Sequence, residues 1–138
     1  MEPLIAEGSE VSVVRAGAEP FARNDIVTAR IGNSQTPILK IIKGIPGDRL
    51  ALESTGEGSF RIVVNGHTVT NSEGLPYAIG ERGRRMLSLY IEDYGGVIPS
   101  DAYLLLGDNP SGSYDSSRFG LIHRRQILGK VLGGSDSR

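Results

Sequence analysis

Short apolar runs recur along the chain, each closed by glycine, proline or a cluster of small polar residues. In EVSVVRAG, Val11 and Val13 alternate with Ser12 ahead of a turn near Gly17, which predicts a half-buried strand. NDIVTARIG continues in the same manner from Ile26 to Ile31. TPILKIIKGIPGDRLAL predicts a pair of apolar strands separated by Gly44-Ile45-Pro46-Gly47-Asp48. Pro46 cannot donate to a ladder and the flanking glycines admit backbone angles other residues resist, so the interruption is a shaped turn. FRIVVNGHTVTN predicts a hairpin, with β-branched runs on both sides of Asn65-Gly66, a favoured two-residue turn.

The stretch from ESTGEG to about Ile98 is looser and more polar than its flanks, which predicts an inserted subdomain. Within it Met86, Leu87, Tyr90, Ile91 and Tyr94 fall at helical spacing, and Gly95-Gly96 would stop such a helix; a strand also fits. DAYLLLGDN predicts a buried strand, and RRQILGKVLGG a closing strand followed by a frayed tail. The organisation expected is a β core over 1–52 and 98–138 with a cap-like insert over 53–97.

Composition sharpens the class. A chain of 138 residues suits one domain with a core of its own. Nineteen Gly and seven Pro with 38% hydrophobic residues favour a turn-rich, mainly β protein over a helical bundle. A net charge of -1 argues against a general nucleic-acid binder. No Cys is present, so disulfides and thiolate metal sites are excluded. There is no internal repeat, no apolar run of 18 residues, and no secretory signal at the start, so the chain as given is expected to be soluble.

Two segments carry candidate chemistry. Lys40 lies in an apolar strand beside Leu39, Ile41 and Ile42, in a chain that has only Lys40, Lys43 and Lys130 against twelve Arg. If desolvated, its amine loses basicity and can serve as a general base for a hydroxyl nucleophile; the alternative puts Lys40 on the solvated face of the strand. The second segment, GDNPSGSYDSSRFG, packs Asp108, Asn109, Asp115, Ser111, Ser113, Ser116, Ser117 and Arg118 into fourteen positions. Its hydroxyls can orient an amine, and Asp115 with Arg118 can form a supporting ion pair; the alternative is a loop of Asx and Ser turns satisfying its own backbone.

A metal loop built on Asp101, Asp108 and Asp115 lacks EF-hand spacing, so no metal and no other cofactor is expected. His67 and His123 have no Ser and Asp pattern suited to a triad. The basic run ERGRR, Glu81 to Arg85, reads as a solvated loop, with contact to anionic lipid headgroups as the alternative.

These residues carry a resemblance. KIIKGIPGD resembles the KRxxGLPGD box of type I signal peptidases, and GDNPSGSYDSSRFGLIHRRQILGKV resembles their GDNRDNSxDSRxxGxVPxxxIxGKV box. MEPLIAEGSEVSVV is similar to their SMxPTLxxGDxVLV box with its first residue missing, and RNDIVTAR to their RGDIVVF segment. The boxes stand in the family's order and span residues 1 to 131. The resemblance implies an antiparallel β core, of the kind shared with LexA-like self-cleaving repressors, with a small inserted β-rich subdomain that has room for one short helix.

It also implies a serine endopeptidase with a Ser/Lys dyad, in which a neutral lysine deprotonates the serine that attacks a preprotein. Lys40 falls on the general-base position, four before Gly44, and Ser113 on the box serine that bonds the lysine amine. Asp108, Asn109 and Asp115 fall on box positions; Asp115 would act through a box Arg, which the ungapped match replaces with Ser117, leaving Arg118 one place late. Met1, Pro3 and Leu4 would line shallow pockets beside an extended signal peptide cleaved at an Ala-x-Ala-like site.

The family's nucleophile falls one residue before Met1, so the chain as written is expected to be inactive. The parent enzyme would be anchored by an N-terminal membrane helix missing here, with this domain on the extracytoplasmic side. The alternatives are a catalytically dead relative that binds extended peptides or a partner protein, and a self-cleaving repressor-type Ser/Lys protein.

Overall fold

The computed structural model describes residues 11–15, 21–32, 36–110 and 115–134. Strands β1 (Val11–Arg15), β2 (Ile26–Ala29), β3 (Ile38–Gly44), β7 (Ala102–Leu106), β8 (Ile122–His123) and β9 (Ile127–Gly134) form one sheet in the order β1-β9-β2-β3-β7-β8. Strands β4 (Leu50–Ser54), β5 (Phe60–Val64) and β6 (His67–Thr68) form a second sheet. Every pairing among the described strands is antiparallel. The described residues also form the α-helices α1 (Glu81–Asp93) and the short α2 (Ser116–Phe119), with a 3₁₀ turn at Arg124–Gln126.

The turn after β3 forms as its residues require. Pro46 and Gly47 take the central positions between Ile45 and Asp48, Gly47 has φ 91°, and Asp48 N–H donates to Ile45 O at 3.0 Å. This is a type II turn, whose third position needs the positive φ glycine tolerates. The apolar runs on its two sides do not pair with each other: β3 pairs with β2 and β7, whereas β4 pairs with β5. The hairpin at Asn65-Gly66 forms with Val64 opposite His67, and both turn residues have positive φ, as a type I′ turn demands.

Of the two options for residues 86–94, the helix forms. Its inward face carries Gly83 and Leu87, both buried, and it ends ahead of Gly95 and Gly96 at φ 66° and 84°. The ERGRR run is the first turns of this helix and not a loop; Arg84 pairs with Glu81 on its surface and lies over the Phe60 ring.

The insert and the main sheet share one interior. Leu50, Ile62, Val64, Val69, Tyr77, Ile79, Leu87 and Ile98 pack in a single cluster with Ala102, Leu104 and Leu106 of β7. The alternate residues of β7, Tyr103 and Leu105, enter a second cluster with Phe21, Val27, Ala29, Ile42, Ile122 and Ile127. β7 is thus buried on both faces, which explains why AYLLL is apolar without alternation. The smaller sheet also takes in Leu50 to Leu52, ahead of the boundary expected at residue 53.

Candidate active site

Strand β3 presents two lysines in different surroundings. Lys40 pairs with Val27 of β2 and shares a strand face with Ile38 and Ile42. Val27 and Ile42 are fully buried, so the half-buried Lys40 emerges from an apolar wall. Burial pushes its pKa below the ordinary lysine value, against the opposing pull of the Asp115 carboxylate. Lys43 sits where the β3–β7 register steps from Ile42↔Leu105 to Gly44↔Leu104, which leaves one extra residue on β3 as a bulge. Its Nζ donates to Asn24 Oδ1 at 2.9 Å, and burial lowers its pKa against the pull of Asp108.

Asp115 ends the described part of the opposing loop. It is 3% exposed and is the N-cap of α2. Its Oδ1 accepts from Ser117 N at 3.0 Å and Ser117 Oγ at 2.7 Å, and its Oδ2 accepts from Gly107 N at 3.0 Å. Ser116, fully buried, accepts from Leu105 N at 2.9 Å. β8 covers the free edge of β7 only at Ala102 and Tyr103. Beyond it, Ser116 Oγ and Asp115 Oδ2 take the N–H groups of Leu105 and Gly107 where a strand would otherwise pair.

The side-chain ion pair expected between Asp115 and Arg118 is absent among the described residues. Arg118 is exposed and meets Asp115 only through its backbone, N–H to Asp115 O at 2.7 Å. The cause is the helical turn: an N-cap carboxylate reaches the second helical residue, Ser117, while the third residue points to solvent.

Asp108, 1% exposed, is held by the insert: Ser72 N donates to its Oδ1 at 2.8 Å and Ser72 Oγ to its Oδ2 at 2.5 Å. Asn71 Nδ2 donates to Asp108 O at 2.9 Å, and Tyr77 OH to Gly107 O at 2.5 Å. Burial, with Asp108 and Asp115 nearby, pushes the Tyr77 phenol far up, so it stays a donor. Asn109 is exposed at the loop's surface.

The β3 turn is fixed by buried Asp48. It accepts from Arg23 Nε at 2.9 Å, Arg23 Nη2 at 2.6 Å, Asn65 Nδ2 at 2.9 Å and Ile45 N at 3.0 Å. Sequence reasoning missed Arg23, Asn71, Ser72 and Tyr77, because each acts on a residue at least 25 positions away.

Ser113, Met1, Pro3 and Leu4 lie outside the described residues. His123 has a local role: its Nδ1 accepts from Arg125 N at 3.0 Å and its N–H donates to Gln126 Oε1 at 3.0 Å, capping a 3₁₀ turn. Among the described residues no three His, Asp or Glu side chains converge as a metal site would need, and no helix is long and apolar enough to cross a membrane.

The chain as a whole is similar to known proteins. A signal peptidase I from Bacillus caldolyticus is 29% identical over 136 residues, covering 95% of this chain and 71% of its own length. Signal peptidase IB of Staphylococcus aureus strain COL is 28% identical over 141 residues, covering 95% and 70%. The crystal structure of a signal peptidase I from Enterococcus faecalis V583 shares the fold, with a TM-score of 0.52 at 21% identity, covering 84% of this chain and 99% of that one. The model of the family described as Signal peptidase, peptidase S26 matches residues 1–133, and the chain belongs to that family.

Proposed function

We propose that this chain is the catalytic β domain of a signal-peptidase-type serine endopeptidase in which Lys40 is the general base of a Ser/Lys dyad. The observation that carries this reading is the environment of Lys40: an amine whose basicity burial reduces, beside the buried carboxylate of Asp115. A lysine base must be neutral to accept the serine proton, and desolvation raises that neutral fraction at working pH.

The chemistry then runs in two steps. The neutral Lys40 amine takes the Ser Oγ proton as the oxygen attacks the scissile carbonyl, and the resulting ammonium returns that proton to the leaving amine. Water hydrolyses the ester with Lys40 again as base. On the resemblance, the serine position immediately precedes Met1, Ser113 bonds the amine, and Met1, Pro3 and Leu4 line the pockets for small residues of the signal peptide. The parent enzyme is then membrane-anchored, acting on the extracytoplasmic side.

The test supplies the chain with Ser ahead of Met1 and a peptide carrying an Ala-x-Ala site. Cleavage is expected, with a fall of about 10²- to 10⁴-fold in kcat for Lys40→Ala and activity retained in Lys43→Ala. Full activity in Lys40→Ala refutes the dyad; no cleavage in the serine-bearing chain favours the peptide-binding alternative.

A further inference from the structure

We propose that Ser117 is a positioning residue for Lys40, acting through Asp115: its hydroxyl and amide fix the carboxylate whose charge the half-buried amine senses. The proposal rests on the reading of Lys40 as the base. Ser117 is almost fully buried and contributes two of the three donors described on Asp115, including the shortest at 2.7 Å. The remaining one comes from Gly107, which continues β7, the strand paired with β3 at Ile41 and Ile42. A continuous set of hydrogen bonds therefore runs from α2 through β7 to the strand of Lys40. Helix α1 backs this arrangement, since a Cβ on Gly83 would stand 3.4 Å from the Ser117 Cβ.

Other described charges leave this pairing to Asp115. On β2, Ile26 to Ala29 include no titratable side chain, and Asp25 ahead of them faces Lys130 of β9 at 3.4 Å. On β7 the titratable group is Tyr103, buried edge-on against Phe21 with its hydroxyl 3.5 Å from Arg124 Nη1. Asp108 acts on Lys43, and Arg118 of α2 is exposed. The sign follows: a fixed anion favours the ammonium, so loosening Asp115 lets burial lower the Lys40 pKa further.

The chain contains three lysines, so ¹³Cε resonances, assigned by Lys→Arg substitution, report the Lys40 titration without requiring turnover. Asp115→Asn should lower its midpoint. Ser117→Ala should lower it in the same direction, Ser117→Thr should restore the wild-type value, and Ser117→Ala should add nothing in the Asp115→Asn background. An unmoved midpoint in folded Ser117→Ala, or an equal shift with and without the Asp115 carboxylate, overturns the proposal. If Ser117→Ala fails to fold, Ser117→Cys is the replacement, read by the same criteria. In the serine-bearing enzyme, a Lys40→Ala variant of full activity sinks the dyad reading instead, so the two failures are distinguishable.

Discussion

Replacing Gly120 by alanine tests how the insert holds the loop at 107–120. Gly120 follows α2 and closes it by donating its N–H to Ser116 O at 2.8 Å. Its φ of 85° with ψ of -169° lies in a region almost confined to glycine, and forcing a Cβ into it costs about 1–3 kcal/mol. That Cβ would also stand 2.4 Å from Tyr90 Cε2 and Oη and 2.6 Å from Cζ. Ordinary carbon contacts lie near 3.5–4.0 Å, so the ring must retreat by roughly 1 Å or more. Tyr90 is stacked on Tyr94 with centroids 6.4 Å apart, and relief by moving α1 adds about 1–3 kcal/mol of overpacking. The sum, about 2–6 kcal/mol, is a large part of the 5–15 kcal/mol typical of a domain.

Urea unfolding of four proteins measures the two contributions: wild type, Gly120→Ala, Tyr90→Ala and the double variant. The cost of Gly120→Ala should fall to the backbone part, about 1–3 kcal/mol, once Tyr90 is truncated. An equal loss in both backgrounds would refute the close-approach argument, and a loss below about 1 kcal/mol in the Tyr90→Ala background would refute the backbone part.

Two further outcomes follow from the charges. Burial alone would raise the Asp48 pKa, but Arg23, Ile45 N–H and Asn65 outweigh it and hold the carboxyl below its usual value. Its contribution is therefore present above the unfolded value near 3.9 and lost as pH falls through the lower folded value. Asp48→Asn should lower stability by about 1–3 kcal/mol at neutral pH and flatten the acid limb below about pH 4; parallel melting curves from pH 2 to 7 would contradict this. Lys40 has the opposite sense: its folded pKa lies below the unfolded value near 10.4, so protonation disfavours the folded state until pH rises through that window. Lys40→Met should keep the fold, raise Tm at pH 7 and remove this alkaline gain, and a variant that tracks the wild-type pH profile would disprove it.

Local chemistry explains what the sequence disclosed. Asn65-Gly66 and Pro46-Gly47 have few alternatives to the turns they form, and the apolar run of β7 has to be buried wherever the chain takes it. The partly buried setting of Lys40 was legible because its neighbours Leu39, Ile41 and Ile42 place it in an apolar strand. Three features were not legible for a common reason, that each depends on register or on distant partners. The β3 bulge that separates the surroundings of Lys43 from those of Lys40 is a property of pairing with β7, residues 104–106. The choice of Ser117 over Arg118 as the partner of Asp115 depends on where α2 begins. Ser72 and Tyr77 lie in a polar stretch whose composition suggests only a loop, yet both reach Asp108 and Gly107 from more than 25 residues away.

Those distant contacts change the meaning of the insert. A cap that merely covered a groove would leave the loop at 107–120 anchored by the main sheet alone. Instead Asn71 and Ser72 take both the carbonyl and the carboxylate of Asp108, Tyr77 takes the carbonyl of Gly107, and α1 packs on α2 at Gly83 and Gly120. Gly107 in turn donates to Asp115, so the insert is connected by hydrogen bonds to the carboxylate whose charge opposes the lowering of the Lys40 pKa. The part of the chain outside the family boxes thus buttresses the parts within them. Substitutions at its surface should be tolerated, whereas those at Asn71, Ser72, Tyr77, Gly83 and Tyr90 should disturb the loop that carries Asp108 and Asp115.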